Sequence, residues 1–198
     1  MLELKPNHKP VLNYFAELAE FEKHGHSNEM TVRNAFQNLL EYYSKKMQWQ
    51  FIEEYPIKRK GRRDASVDGA LLDQFSLARA FWEAKDTKDD LAFEVRKKFE
   101  DGYPQTNILF WQPGRAILVQ NGRQILDEPI TTPDKLVEVM LAFFNYDQPY
   151  IKEWEHAVEE FKNTIPVLAK SVLKILEEQR AKNRSFQESF ARWIFRIN

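Results

Sequence analysis

Three residues have the types and spacing to do chemistry together. Asp68 lies near the middle of a hydrophobic run, "SVDGALLD". Glu83 and Lys85 close another, "RAFWEAK". Strand side chains alternate faces, so Glu83 and Lys85 project from one side. Consecutive strands are usually neighbours, which brings Asp68 and Glu83 to one sheet edge. Two close carboxylates raise one another's pKa, and a divalent cation relieves the conflict. Hard oxygen ligands suit Mg²⁺, with Mn²⁺ as a substitute; Mg²⁺ keeps several waters and often shares its shell with a phosphate. Such an ion polarises a phosphoryl oxygen and lowers the pKa of bound water. Lys85 could position that water or neutralise charge in the transition state.

The elements that must position these residues read as follows. "PVLNYFAELAEFEKHG" is an amphipathic helix closed by Gly25. "SNEMTVRNAFQNLLEYYSKKM" is a second, with Val32, Phe36, Leu39, Leu40, Tyr43 and Met47 as its stripe and Ser27 or Asn28 as cap. "WQFIEEYPIKRK" is a strand whose Pro56 marks an edge or an end. The runs bearing Asp68 and Glu83 are the next two strands. "TKDDLAFEVRKKFEDGY" is a helix with a Thr87 or Asp89 cap, ending at Gly102. "NILFW", "AILVQ" and "QILDE" are short strands, the last two joined at an Asn121-Gly122 turn. Thr132-Pro133 opens another helix. From Pro149 the pattern is helical, and Thr164-Ile165-Pro166 restarts it. The class is mixed α/β with a helical C-terminal part. The division expected is a core over 1–131 and a helical extension over 132–198.

Bulk properties fit. The 198 residues are 43% hydrophobic, enough for a real core, and carry a net charge of −1. That charge gives no global reason to bind nucleic acid, so binding must use a local basic patch. "KRKGRR" supplies one: Lys58, Arg59, Lys60, Arg62 and Arg63, just before the strand of Asp68. It would grip phosphates without regard to sequence; alternatively it is a solubilising hairpin loop. Lys97 and Lys98 are a weaker second candidate. No cysteine occurs, which removes disulfides and thiolate metal sites. No run is long and apolar enough for a membrane span, and the N-terminus lacks a signal-peptide core, so a cytoplasmic location is the default.

The Asp68…Glu83-Ala84-Lys85 arrangement resembles the PD-(D/E)XK nuclease superfamily, with Val67 where the usual Pro precedes the Asp. That resemblance implies a restriction-endonuclease-like core: helix, three-stranded meander, helix, then further strands in a mixed sheet. It also implies a third metal-site acid on the first helix. Glu29 fits, because it precedes Val32, Phe36 and Leu40 by helical intervals. Across residues 20–130, "NEMTVRNAFQNLLEYY", "RRDASVDGALLD", "FWEAKDTKDDL" and "NILFWQPGRAILVQNGR" look like the N-terminal nuclease domain of large single-chain restriction–modification enzymes of the type ISP kind. Those enzymes add a helicase and an adenine methyltransferase. This chain has neither a G-x-x-x-x-G-K-[ST] loop nor an Asn-Pro-Pro-Tyr motif, and would be the nuclease module alone.

The resemblance therefore implies a Mg²⁺-dependent endonuclease acting on double-stranded DNA, in a restriction–modification or phage-defence system. Helicase and methyltransferase domains of a longer polypeptide would be partners, and cutting both strands would need a second active site, hence a homodimer. The alternative is a non-catalytic DNA-binding or partner-docking module on the same fold. Each residue has a plainer role to set beside this. Glu83 and Lys85 could be a solvated strand-end ion pair. Glu29 could be a first-turn acid on the helix dipole. His24 and His26 lack the spacing of helical zinc ligands. Gln120 could touch DNA or simply end a strand. The stripe of Trp154, Phe161, Leu168 and Leu176 is core or interface.

Overall fold

A computed structural model of the chain describes residues 2–23, 29–59, 61–147 and 149–194. They form two compact units, 1–146 and 147–198. In the first, helices α1 (Lys9–Lys23) and α2 (Glu29–Lys46) precede strands β1 (Gln50–Ile57), β2 (Ala65–Leu72) and β3 (Ala78–Ala84). Helix α3 (Leu91–Glu100) leads to β4 (Asn107–Gln112), β5 (Arg115–Gln120), β6 (Arg123–Pro129) and α4 (Pro133–Phe144). The six strands pair in chain order. All pairs are antiparallel except β3–β4, where the α3 crossover makes them parallel.

β1 is an edge, so Pro56 interrupts no inner ladder. β4 and β5 are buried almost throughout because helices cover both sheet faces. On one face Leu71, Trp82, Leu109, Trp111 and Leu118 pack with residues of α1, α2 and α4. On the other, Phe81, Ile108, Phe110 and Ile117 pack with Leu91 and Val95 of α3. Asn121 and Gly122, at φ 49° and 72°, make the β5–β6 hairpin turn as the sequence signal required.

Three expectations change. The α3 cap is Asp90, whose carboxylate accepts from the backbone N–H groups of Ala92 and Phe93, in place of Thr87 or Asp89. Helix α4 belongs to the sheet unit: Leu136, Val137, Val139, Met140, Phe143 and Phe144 are all buried, so the boundary expected at 131/132 falls at 146/147. In the second unit, α5 (Pro149–Lys182) runs unbroken through Pro166, and α6 (Arg184–Ile194) follows it. Along α5, Phe161, Ile165, Leu168, Val172 and Ile175 are exposed. Among the described residues, no helix is long and apolar enough to cross a membrane.

Candidate active site

The pleat of β2 changes hand at Asp68. Leu71 packs into one core cluster and Val67 into the other, although regular alternation would put both on one face. Across the β1–β2 ladder, Glu53 pairs with Gly69 and Tyr55 with Val67, which leaves Glu54 opposite Asp68. Glu54 has φ 47°, a left-handed backbone that is uncommon for a side-chain-bearing residue. Gly69 is needed beside this kink, because a Cβ there would run into the Phe51 ring and stand 3.2 Å from Trp82. On the other side, Gly69 pairs with Trp82, the last pair of that ladder, and Asp68 and Glu83 are the residues that follow it. The link is direct: the Ala84 N–H donates to Asp68 Oδ2 at 2.6 Å.

Lys85 lies just past the end of β3, its N–H donating to the Trp111 carbonyl at 2.7 Å. Its ammonium donates to Glu83 Oε1 at 2.9 Å. Thus Lys85 contacts Glu83 directly, and Asp68 joins them through the Ala84 N–H between the two. The structure adds two cations. Lys98, on α3, reaches the same Glu83 Oε1 at 2.5 Å and donates to the Tyr103 hydroxyl at 2.8 Å. Tyr103 in turn donates to the Ser66 carbonyl. Arg33, on α2, stands 3.1 Å from Asp68 Oδ1.

The site is sheltered. The Glu83 side chain is 4% exposed and that of Asp68 18%. Burial first, and then the Glu83 charge, push the Asp68 carboxyl above the usual carboxylate value, against the pull of the Ala84 N–H, Arg33 and Lys85. Burial works to lower the pKa of Lys98, but its bonds to Glu83 and Tyr103 outweigh that and hold it above the ordinary lysine value. Glu83 Oε2 is buried with no hydrogen-bond partner. A cleft of about 520 Å³ opens alongside, lined by Leu18, Val32, Arg33, Lys85, Asp86 and Trp111 among others. Asp68 and Glu83 are not among its lining residues; their cation partners Arg33 and Lys85 are.

The donor set fits a small hard cation. An unpartnered buried carboxylate oxygen beside a second carboxylate is the arrangement such an ion satisfies, with waters and phosphate completing its shell. Among the described residues, no group of three or more His, Cys, Asp or Glu is placed to hold a metal. Glu29 is the first residue of α2, but its side chain lies outside the described residues. So do Lys60, His24 and His26.

The remaining basic turn divides in two. Arg59 donates to the Arg63 and Asp101 carbonyls, and Arg62 pairs with the Asp101 carboxylate at 2.5 Å. These two tie the β1–β2 turn to the end of α3. Lys58 and Arg63 are exposed. Gln120 is structural, donating to Asn107 Oδ1 and the Ala142 carbonyl in a buried network. Asp73 caps its own turn and pairs with Arg79 at 2.8 Å.

No family model matches the chain, and no curated protein matches it. Among solved structures, it is similar to a chain in the cryo-EM structure of a DrdV–DNA complex, with TM-score 0.69 and 30% identity. The match covers 88% of this chain and 17% of that one, so this chain spans about a sixth of its neighbour. The six-stranded mixed sheet between helical layers, followed by a helical C-terminal part, is a restriction-endonuclease-like fold.

Proposed function

We propose that this chain is a metal-dependent DNA endonuclease, the nuclease module of a restriction–modification or phage-defence system. The observation that carries this is the half-buried Asp68 carboxylate tied to the Ala84 N–H beside the buried Glu83, with Lys85 on one Glu83 oxygen and the other oxygen unpartnered. The DNA in the neighbouring structure supports DNA as substrate, and that chain's greater length supports further domains beside this one; duplex DNA, and a helicase and methyltransferase as those domains, are what the sequence resemblance adds. A second copy would supply the second active site for cutting both strands.

Asp68 and Glu83 would hold Mg²⁺ or Mn²⁺, joined by Glu29 from the start of α2. When bound, the ion supplies phosphoryl polarisation and a water of lowered pKa. The chain's own groups do the rest. The Ala84 N–H would hold the Asp68 carboxylate beside β3 as the ion binds. Lys85, on the cleft wall, offers a cation to charge developing on the phosphate. Lys98 keeps Glu83 oriented through its bond to Oε1. Lys58 and Arg63 meet the DNA backbone, with Arg59, Lys60 and Arg62 as the rest of that patch.

The second reading is a non-catalytic DNA-binding or docking module. One observation favours it: Arg33, Lys85 and Lys98 already neutralise both carboxylates without an ion. Supercoiled plasmid incubated with the chain and Mg²⁺ separates the two. Nicking or linearisation that disappears in Asp68→Ala, Glu83→Ala and Lys85→Ala supports the nuclease; equal cutting by all three variants and the parent rejects it.

A further inference from the structure

Arg33 has no part in the pattern that singled out the site, yet it sits on it. Its Nη2 lies 3.1 Å from Asp68 Oδ1 and 3.3 Å from Glu54 Oε1. Its guanidinium carbon is 5.7 Å from the centroid of the Trp82 ring, and its side chain is 31% exposed. With the Ala84 N–H on Oδ2, both oxygens of Asp68 are engaged. An ion needing Asp68 must compete with a guanidinium for it.

The surroundings give that guanidinium somewhere to go. Arg33 lines the 520 Å³ cleft together with Lys85, so the cleft wall carries two cations. Guanidinium favours phosphate oxygens through its planar fork of donors. Glu54 provides a second anchor that does not depend on Asp68, and is itself steadied by the Ser66 hydroxyl at 3.0 Å. The left-handed backbone of Glu54, opposite Asp68, belongs to this arrangement; strained residues of that sort concentrate at switching and binding sites. Charge makes the same point. Arg33, Lys85 and Lys98 balance Glu54, Asp68 and Glu83 before any ion arrives. A divalent cation then leaves an excess of two positive charges, half of which one DNA phosphate offsets.

We propose that Arg33 is a latch on the metal site: it occupies Asp68 in the metal-free chain and transfers to a DNA phosphate when ion and DNA enter together, while Glu54 keeps hold of it. The proposal rests on the reading of Asp68 and Glu83 as metal ligands. It makes metal binding weak without DNA because of one identifiable side chain.

Mn²⁺ binding to the full chain, measured by isothermal titration calorimetry without DNA, tests it. Arg33→Met keeps the stem over Trp82 and removes the charge; Arg33→Lys keeps the charge and loses the fork. Arg33→Met should bind Mn²⁺ at least fivefold tighter than the parent, with Arg33→Lys between them. In Ca²⁺, Arg33→Met should also bind a short duplex more weakly, with its salt slope reduced by about one. Thermal melts confirm that the variants are folded, and Arg33→Lys serves if Arg33→Met is not. Mn²⁺ affinity equal to or below the parent's overturns the latch. If no form of the chain, with or without DNA, shows Mn²⁺ binding sensitive to Glu83→Ala, the metal reading fails and the latch falls with it.

Discussion

The backbone N–H of Ala84, the residue after Glu83, donates to Asp68 Oδ2 and so ties the Asp68 carboxylate to the end of β3, at the point where β2 departs from regular alternation. Each acid is held by groups from elsewhere in the unit: Asp68 by the Ala84 amide and Arg33, Glu83 by Lys85 and Lys98. Holding two carboxylates together in a sheltered place costs stability, and that cost is measurable.

Asp68→Asn should stabilise the metal-free chain while removing cleavage. Asp68 keeps its proton to a higher pH in the folded chain than in the unfolded one, whose value is 3.8. Above 3.8 the folded state therefore binds more protons, and stability falls as pH climbs through that window. Asparagine removes the penalty and still accepts the Ala84 N–H. In EDTA at pH 7 its melting temperature should rise above the parent's. The gain should shrink toward pH 4. A variant less stable than the parent at pH 7 would contradict this.

Lys98 and Lys85 share one oxygen but should differ in effect. Lys98→Met leaves the buried Glu83 with a single cation and the Tyr103 hydroxyl oxygen without its donor, a loss of roughly 1–3 kcal/mol. The raised folded pKa of Lys98 means its contribution is complete below the unfolded value of 10.5 and is lost as pH rises beyond it. Urea melts from pH 7 to 9 should thus show a constant deficit. Lys85→Met should cost less stability, because Lys98 keeps both Glu83 and the Tyr103 hydroxyl bonded, and should lose cleavage.

The basic turn should also split. Replacing both Lys58 and Arg63 by Ala should weaken duplex binding evenly across sequences and lower the salt slope by about two. Filter binding in Ca²⁺ at several salt concentrations reads this. Arg59→Ala and Arg62→Ala should lower the melting temperature as well, since they anchor the turn to Asp101.

The proximity of Asp68, Glu83 and Lys85 was legible because neighbour pairing is a local rule and the six strands pair in chain order, although β2 departs from regular alternation at Asp68. Lys98 was legible only as a surface phosphate contact. A signal was present: Lys98 follows Leu91 by seven residues and Val95 by three, on the buried stripe of α3. A lysine there implies a buried anion nearby. Arg33 gave less warning, since it flanks the stripe of Val32, Phe36 and Leu40 and its acceptors come from two strands. The place of α4 was readable from apolar residues around much of its circumference, which a surface extension would not carry. Pro166 misled for a physical reason. It removes one amide donor, but on an exposed stretch of helix the freed carbonyl is left to water and the helix continues.

The most direct measurement is anomalous diffraction from crystals of the chain grown with a short duplex and Mn²⁺. The expected result is a peak contacted at about 2 Å by one oxygen each of Asp68 and Glu83, and lost in Glu83→Ala. Asp68 still paired with Arg33 and Glu83 with Lys98, with no ion between them in the presence of DNA, would contradict it.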